Sequence, residues 1–410
     1  MKTPASRASE TVERFFAPCP RGLESVLASE LMALGAGEIV PTAGGVGFSG
    51  SFALCYRVNV GSRIASRVLW QVAAGGYRDE QDLYGRAKAV PWADWFTSRS
   101  TIKVRVSAQD PGLKSLEYVT LRIKDAVCDA FRATTGQRPT VDTQRPDVLI
   151  AAFLDGATAT LYLDTSGEPL FKRGHRLAGG GAPLRENLAA GVLRLAGWPQ
   201  ATTFLDPMCG SGTILVEAAE MAAGLSPGRA RRFAFERLSW FAARGWQEIR
   251  EEQGLRIVSD QEVRMFGSDI QNGAIETARA NLKSAGVDRL VRLERSDVLT
   301  RPAPAGEGLL VTNPPYGVRV AAEPDMAAWY PKLGNALKRR FPGWRAYLLT
   351  ADLRLPKLIG LTPSRRIPLF NGPLECRLYE FELVRGSMRG RSKVRPGATD
   401  QLRSPRPSIS

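Results

Sequence analysis

Asn313-Pro314-Pro315-Tyr316-Gly317 is the stretch whose residue types and spacing most directly suggest a reaction. An amine on a nucleobase ring is a poor nucleophile, because its lone pair is delocalised into the ring. If the Asn313 amide oxygen and the Pro314 carbonyl accept both N–H bonds, electron density returns to nitrogen. That nitrogen can then attack an electrophilic methyl group, while Tyr316 stacks on the extruded base. Neither Pro314 nor Pro315 can donate a backbone hydrogen bond, so no ladder continues through them. A proline-rich turn with Asn313 as a cap uses the same residues, and a short motif alone does not separate the two.

A second stretch, Asp206-Pro-Met-Cys-Gly-Ser-Gly-Thr213, supplies a site for the methyl donor. Gly210 and Gly212 let backbone approach a ligand closely. The stretch lacks both the GxGxxG spacing and a Walker lysine, so phosphate cradling is not its natural use. An acidic start suits a cation or an amino group instead. S-adenosyl-L-methionine offers an ammonium, a sulfonium and a ribose, which accounts for Asp206. Asp269 closes the next strand and is placed for ribose hydroxyls; Asp297 closes the one after and is placed for the adenine amine. Their neighbours Ile270 and Val298 supply apolar contact. Any one of these acids is also an ordinary turn or cap residue, but three at successive strand ends are harder to dismiss.

These segments need a frame, and from Thr202 onward the pattern is repeated strand and helix. Strands are expected at 203–205, 263–266, 291–293, 308–311 and 346–350, and helices at 214–223, 272–285 (with an Asn272 cap) and 326–341. A hairpin follows around Asn371-Gly372. Such alternation implies a mostly parallel sheet covered on both faces, with ligands at the carboxyl ends of its strands. Residues 225–262 exceed an ordinary connection. They read as a helical insertion whose arginines and tryptophans (Arg229, Arg231, Arg232, Trp240, Trp246) suit RNA or packing.

Ahead of that frame, 15–19 reads as a strand, 22–34 as a helix, 38–48 as a glycine-broken hairpin and 51–58 as the start of a helix. Irregular helical connections are expected through Leu83, Trp92 and Phe96. Thr101–Val106 alternates as a half-buried strand does, Ser115–Thr134 is amphipathic, and 148–153 pairs with 158–163 around Asp155-Gly156. Lys103, Arg105, Lys114, Arg122, Lys124 and Arg132 are candidates for an RNA-binding surface, or simply a solvated face.

Composition narrows the partner. The 410 residues carry a formal charge of +15, and the isoelectric point is near 9.9. A chain this basic is suited to a polyanion, most commonly nucleic acid. Five scattered cysteines without CxxC spacing imply reduced thiols in a cytoplasmic protein. His175 is the sole histidine, which excludes any mechanism needing two, and no ligand cluster argues for a metal. Nothing resembles a transmembrane run or a signal peptide.

DPMCGSGT followed by NPPYG resembles the amino-methylating class I S-adenosylmethionine-dependent methyltransferases. With KRGHR at 172–176, APLRENLAA at 182–190, GSDI at 267–270 and FNGPLEC at 370–376, the chain is most similar to bacterial 23S rRNA guanine-N2 methyltransferases carrying an N-terminal THUMP domain. The fold class this implies is α/β, a Rossmann-like methyltransferase domain behind an α+β ferredoxin-like/THUMP domain. The expected divisions are a frayed start (1–12), a ferredoxin-like part (13–100), a THUMP part (101–167), a methyltransferase domain (168–385) and a disordered basic tail (386–410). The family's cofactor motif falls on Asp206, Met208, Gly210, Ser211 and Gly212, with Asp269 and Asp297 as the acidic pair. A segment near the cofactor falls on Pro183, Leu184, Glu186 and Asn187, and the catalytic motif on Asn313, Pro314, Pro315 and Tyr316. The resemblance implies guanine-N2 methylation of large-subunit ribosomal RNA, without the second methyltransferase domain that some members carry. Adenine-N6 methylation of DNA or RNA is the alternative within the chemistry, and a non-catalytic RNA-binding assembly factor the alternative outside it.

Overall fold

The computed structural model describes residues 11–110, 112–113, 115–176, 184–199, 203–254, 264–315 and 326–384. The expected frayed start (apart from residues 11–12), the basic tail, Lys114, Pro183 and Tyr316 lie outside these residues.

The first half runs β1 (Glu13–Pro18), α1 (Glu24–Ala33), β2 (Gly37–Thr42), β3 (Gly45–Gly50), α2 (Phe52–Gly61), β4 (Leu69–Gly76), α3 (Glu80–Lys88), β5 (Thr101–Gln109), α4 (Leu116–Thr135), β6 (Thr140–Val141), β7 (Val148–Asp155) and β8 (Thr158–Asp164). Its strands form one sheet in the order β2-β3-β1-β4-β8-β7-β5-β6. Strand β4 is the joint of that sheet, and it stands where the sequence suggested irregular helical connections. Its LWQVAAGG ends in small residues and shifts register between Gln71 and Ala73, which breaks the period of two. Phe15 and Phe16 pair with Trp70 and Leu69 on one side, and β8 pairs along the other. Helix α4 buries Val119, Ile123, Val127 and Phe131, a stripe at four-residue spacing, and stops at the left-handed Gly136.

The second half runs α5 (Glu186–Leu195), β9 (Thr203–Asp206), α6 (Thr213–Ala222), α7 (Ala243–Gly254), β10 (Arg264–Asp269), α8 (Asn272–Ala285), β11 (Val291–Arg295), β12 (Gly308–Thr312), α9 (Met326–Arg340), β13 (Trp344–Thr350), β14 (Arg365–Asn371) and β15 (Leu374–Glu382). The sheet order is β11-β10-β9-β12-β13-β15-β14. The first five strands are parallel, and β15 is antiparallel to both of its neighbours. This is the α/β arrangement expected. Leu309, Leu310 and Val311 are fully buried, as a central parallel strand covered on both faces requires. The chain leaves β9 toward β10 on one side and later returns to β12 on the other, so the order reverses between β9 and β12. Asn272 is not a cap: Gln271 precedes the helix, and the Asn272 amide instead donates to Glu276 Oε1 at 2.8 Å.

Two devices fuse the halves. The first is aromatic. Trp240 lies 3.9 Å from the Phe52 ring centroid and Phe235 4.4 Å from that of Tyr56, while Trp246 is buried against Tyr56 and Phe233. The described part of the insertion therefore uses its tryptophans for packing. Arg231, also buried, donates to the carbonyls of Glu168, Pro169 and Lys172. The second is ionic: Glu217 on α6 is fully buried and takes Arg63 of the first half and Arg173, both at 3.0 Å. Burial alone would raise the Glu217 pKa, but the two guanidinium groups hold it below the usual carboxylate value.

Removing one member leaves a charge stranded in the interior. Arg173→Ala is expected to cost about 3–5 kcal/mol, read as a lower denaturation midpoint in urea. A midpoint equal to wild type would mean that Glu217 is not dependent on this partner.

Candidate active site

Strand β9 ends in Asp206, and the chain then turns through Pro207–Gly212 into α6. Gly210 (φ 52°) and Gly212 (φ 78°) both occupy the left-handed region, where glycine alone pays no Cβ penalty. A Cβ on Gly210 would meet nothing within 4 Å, so the turn opens onto free space there; a Cβ on Gly212 would press on Ala278 at 3.0 Å. Backbone bonds stitch neighbouring strand ends together: Cys209 N–H donates to Ser268 O and Ser296 N–H to Asp269 O. Asp269 holds the turn itself, accepting from Gly210 N–H at 3.0 Å and from Gln271 N–H at 3.0 Å.

Asp206 is 1% exposed. Its Oδ1 accepts from Thr312 Oγ1 at 2.7 Å and from Met208 N–H at 3.3 Å. Burial pushes this carboxyl up to about 7; the Thr312 and Met208 bonds oppose the rise, and Asp269 adds to it. Thr312 is the last residue of β12, so one hydrogen bond joins the glycine turn to Asn313. The Asn313 Oδ1 atom is buried and has no hydrogen-bond partner among the described residues. Pro314 is buried and Pro315 exposed. An orphaned buried acceptor is uncommon, and this one lies one residue beyond a bond to the turn.

The remaining candidates divide. Ile270 is 58% exposed, a large apolar side chain left open beside Asp269, while Val298 is 4% exposed. Asp297 is half-buried, and its Oδ1 accepts from Leu299 N–H. Leu184 and Glu186 reach the turn through Arg176, which meets Glu186 at 3.2 Å, Leu184 O at 2.9 Å and Thr213 Oγ1 at 2.8 Å. Asn187 is turned elsewhere, with its amide donating to Ile64 O and Ser66 Oγ of the first half. Consecutive helix positions point roughly 100° apart, so Glu186 and Asn187 do not face the same site.

The sequence motifs give no site role to Thr312, to Arg176 (although KRGHR ends on it) or to Asn281, whose amide donates to Ser211 O at 2.9 Å. A hydroxyl directly before Asn-Pro-Pro was the available signal for Thr312; nothing local marks Asn281. Among the described residues, no group of three or more His, Cys, Asp or Glu is disposed to hold a metal.

An open glycine turn, an acid at each of three strand ends, an exposed isoleucine and a free amide oxygen suit a nucleoside-bearing cation beside a polar acceptor. Comparison with known proteins agrees with this reading. Residues 173–380 match the family described as RMKL-like, methyltransferase domain. Residues 77–164 match the THUMP domain and 14–69 the RlmL ferredoxin-like domain. A ribosomal RNA large subunit methyltransferase K/L from Syntrophotalea carbinolica is 41% identical over 382 residues, covering 90% of this chain and 54% of the relative. One of the same name from Aeromonas hydrophila is 38% identical over 412 residues, covering 96% and 57%. The chain thus spans little more than half the length of these relatives. Among solved structures, SMU.472 in complex with SAH superimposes with a TM-score of 0.82 at 26% identity, covering 92% of this chain and all of that one. A protein from Listeria monocytogenes described as a predicted N6-adenine-specific DNA methylase gives 0.82 at 28% identity, covering 93% and 98%.

Thr312→Val removes the hydroxyl but keeps the shape. It is expected to cost about 1–3 kcal/mol and to raise the Asp206 pKa further, since the lost bond was one that lowered it. Urea denaturation and carboxyl-carbon NMR titration read the two effects. An unmoved Asp206 titration would show that the bond does not hold this carboxyl.

Proposed function

The chain belongs to the RMKL-like methyltransferase-domain family, and from that premise we propose that it methylates an exocyclic base amine in large-subunit ribosomal RNA, at N2 of a guanosine in 23S RNA. The observation that supports the chemistry best is the buried Asn313 Oδ1, without a hydrogen-bond partner among the described residues and following directly on Thr312, which bonds to Asp206 at the start of the glycine turn.

S-adenosyl-L-methionine, when bound, supplies a methyl group on a positively charged sulfur. The chain's own residues do the rest. Gly210 and Gly212 admit the donor to the backbone, Asp269 takes its ribose, and Asp297 with Ile270 and Val298 takes its adenine. Asn313 Oδ1 and the Pro314 carbonyl accept the two N–H bonds of the target amine, and Tyr316 stacks on the base. Nitrogen forms the new bond to the methyl carbon as the sulfur–carbon bond breaks. The proton that the methylated amine then sheds goes to water, since neither acceptor is basic enough to keep it. Catalysis on this account is positioning and polarisation.

Adenine N6 is the second reading, favoured by the description of the Listeria protein. Both bases present an amino group to the same acceptors.

Asn313→Ala is expected to lower methyl transfer on the order of a hundredfold or more, the scale of losing one positioned polar group, with S-adenosylhomocysteine affinity unchanged. Turnover near wild type would remove Asn313 from the mechanism. Nucleoside mass spectrometry of ribosomal RNA from cells lacking the protein separates the bases: N2-methylguanosine is expected to fall. Unchanged RNA with loss of N6-methyladenine from DNA would favour the second reading.

The titration of Asp206 at about 7 gives a pH dependence of donor binding. A cationic ligand favours the ionised carboxyl, so affinity is expected to be full above that pH and to decline as pH falls through it. Calorimetric titration of S-adenosylmethionine should show this slope, and Asp206→Asn should abolish it. A pH-independent wild-type affinity would contradict the assignment.

A further inference from the structure

Among the described residues, a cleft rich in positive charge is lined by none of the glycine-turn residues. It is a cleft of about 790 Å³ walled by β5 and the 144–149 loop on one side, the 166–172 linker at its base and residues 232–241 on the other. Both halves of the chain therefore contribute to it.

Its charges are unequally satisfied. Asp147 is held by Arg237 at 2.8 Å and by Thr101, Glu168 by Lys172 at 2.5 Å, and Glu236 Oε1 accepts from Phe233 N–H. Lys103 is spent on the Thr143 carbonyl. The guanidinium groups of Arg105, Arg145 and Arg232 have no hydrogen-bond or ion-pair partner among the described residues. Three arginines without a salt bridge among these residues face one hollow, and two of its three lining carboxylates are already paired with Arg237 and Lys172, so the local field favours an anion carrying several charges.

The basic residues of α4 contrast with this. Arg122 stacks on Tyr84 and donates to Gln81, Lys124 pairs with Asp125, and Arg132 pairs with Asp129. Of the basic residues expected from sequence to meet RNA, the three on this helix are engaged within the protein, whereas Arg105 faces the cleft. The cleft is also held in shape, because backbone bonds from Phe235 N–H to Thr165 O and from Ser239 N–H to Trp95 O cross between the halves.

The geometry points to this cleft as the seat of an RNA strand's phosphodiester backbone, gripped jointly by Arg105, Arg145 and Arg232. It rests on the ribosomal RNA reading above and adds where that RNA is held. A volume of this size has room for part of a single strand or a loop, and the half-exposed Phe241 ring lines it beside the cations. Because the wall belongs to both halves, the RNA is held in register with the catalytic sheet.

The test uses the full chain and fluorescence anisotropy with labelled single-stranded polyuridine RNA, so no methyl transfer is involved. Arg105→Gln/Arg145→Gln/Arg232→Gln is expected to weaken binding on the order of ten- to a hundredfold at low salt. It should also flatten the slope of log affinity against log salt by about 2, or roughly 0.7 per lost phosphate contact. The matched variant Arg122→Gln/Lys124→Gln/Arg132→Gln should bind as wild type. Thermal unfolding checks that both variants are folded, and each cleft single variant should give about a third of the slope change. An unchanged affinity in the cleft variant, or an equal loss in the helix variant, overturns the proposal while leaving the catalytic reading intact. Failure of the wild type to bind the polyuridine probe also overturns the cleft proposal, while the catalytic reading stands or falls on the Asn313→Ala turnover and the nucleoside analysis.

Discussion

The hydrogen bond from Thr312 to Asp206 is the constraint on which the catalytic edge depends. It is 2.7 Å long and joins the ends of two adjacent parallel strands at the point where strand order reverses. Parallel strands are fixed to each other along their length, but beyond their last ladder bond their loops diverge to opposite faces. That divergence opens the crevice which makes the switch point a ligand site, and it also leaves the two loops free to drift. A hydroxyl on one strand end bonded to a buried carboxyl on the other removes that freedom. Asn313 therefore follows directly on a residue bonded to the strand end from which the Gly210–Gly212 turn departs.

The cost of that arrangement appears in the same residues. Asp206 is buried with no cation beside it, and its carboxyl titrates near neutrality. Asn313 Oδ1 is buried without a partner among the described residues. Both are unfavourable in the isolated protein, and on the proposed mechanism a cation at the turn and an N–H donor at the amide would relieve them. Arg63, Arg173 and Glu217 show the opposite case. There each buried charge is matched within the chain, which suits a joint and leaves nothing to offer a ligand.

Much of this was readable from the sequence, for identifiable reasons. The repeated strand-and-helix pattern marked β9 and β12, helical spacing marked α4, and Asn371-Gly372 marked the last hairpin, because those signals are local. Strand β4 was not legible, since its small residues and register shift conceal the alternation and its strand character comes from two neighbours distant in sequence. Trp240 and Trp246 were read as RNA contacts or packing; the structure gives them rings of the first half to pack on. The division between spent and unspent arginines was likewise invisible. Arg122 and Arg105 look alike in a sequence, and only their neighbours in space tell them apart.

The most direct measurement is a crystal structure of the full chain with S-adenosylhomocysteine bound. The account requires the ligand's amino-acid end against the Gly210–Gly212 turn, its ribose on Asp269 and its adenine between Ile270 and Val298. Its sulfur should face a gap bordered by Asn313 Oδ1, with the Thr312–Asp206 bond intact. A ligand seated elsewhere, or an Asn313 side chain turned away from that sulfur, would contradict it.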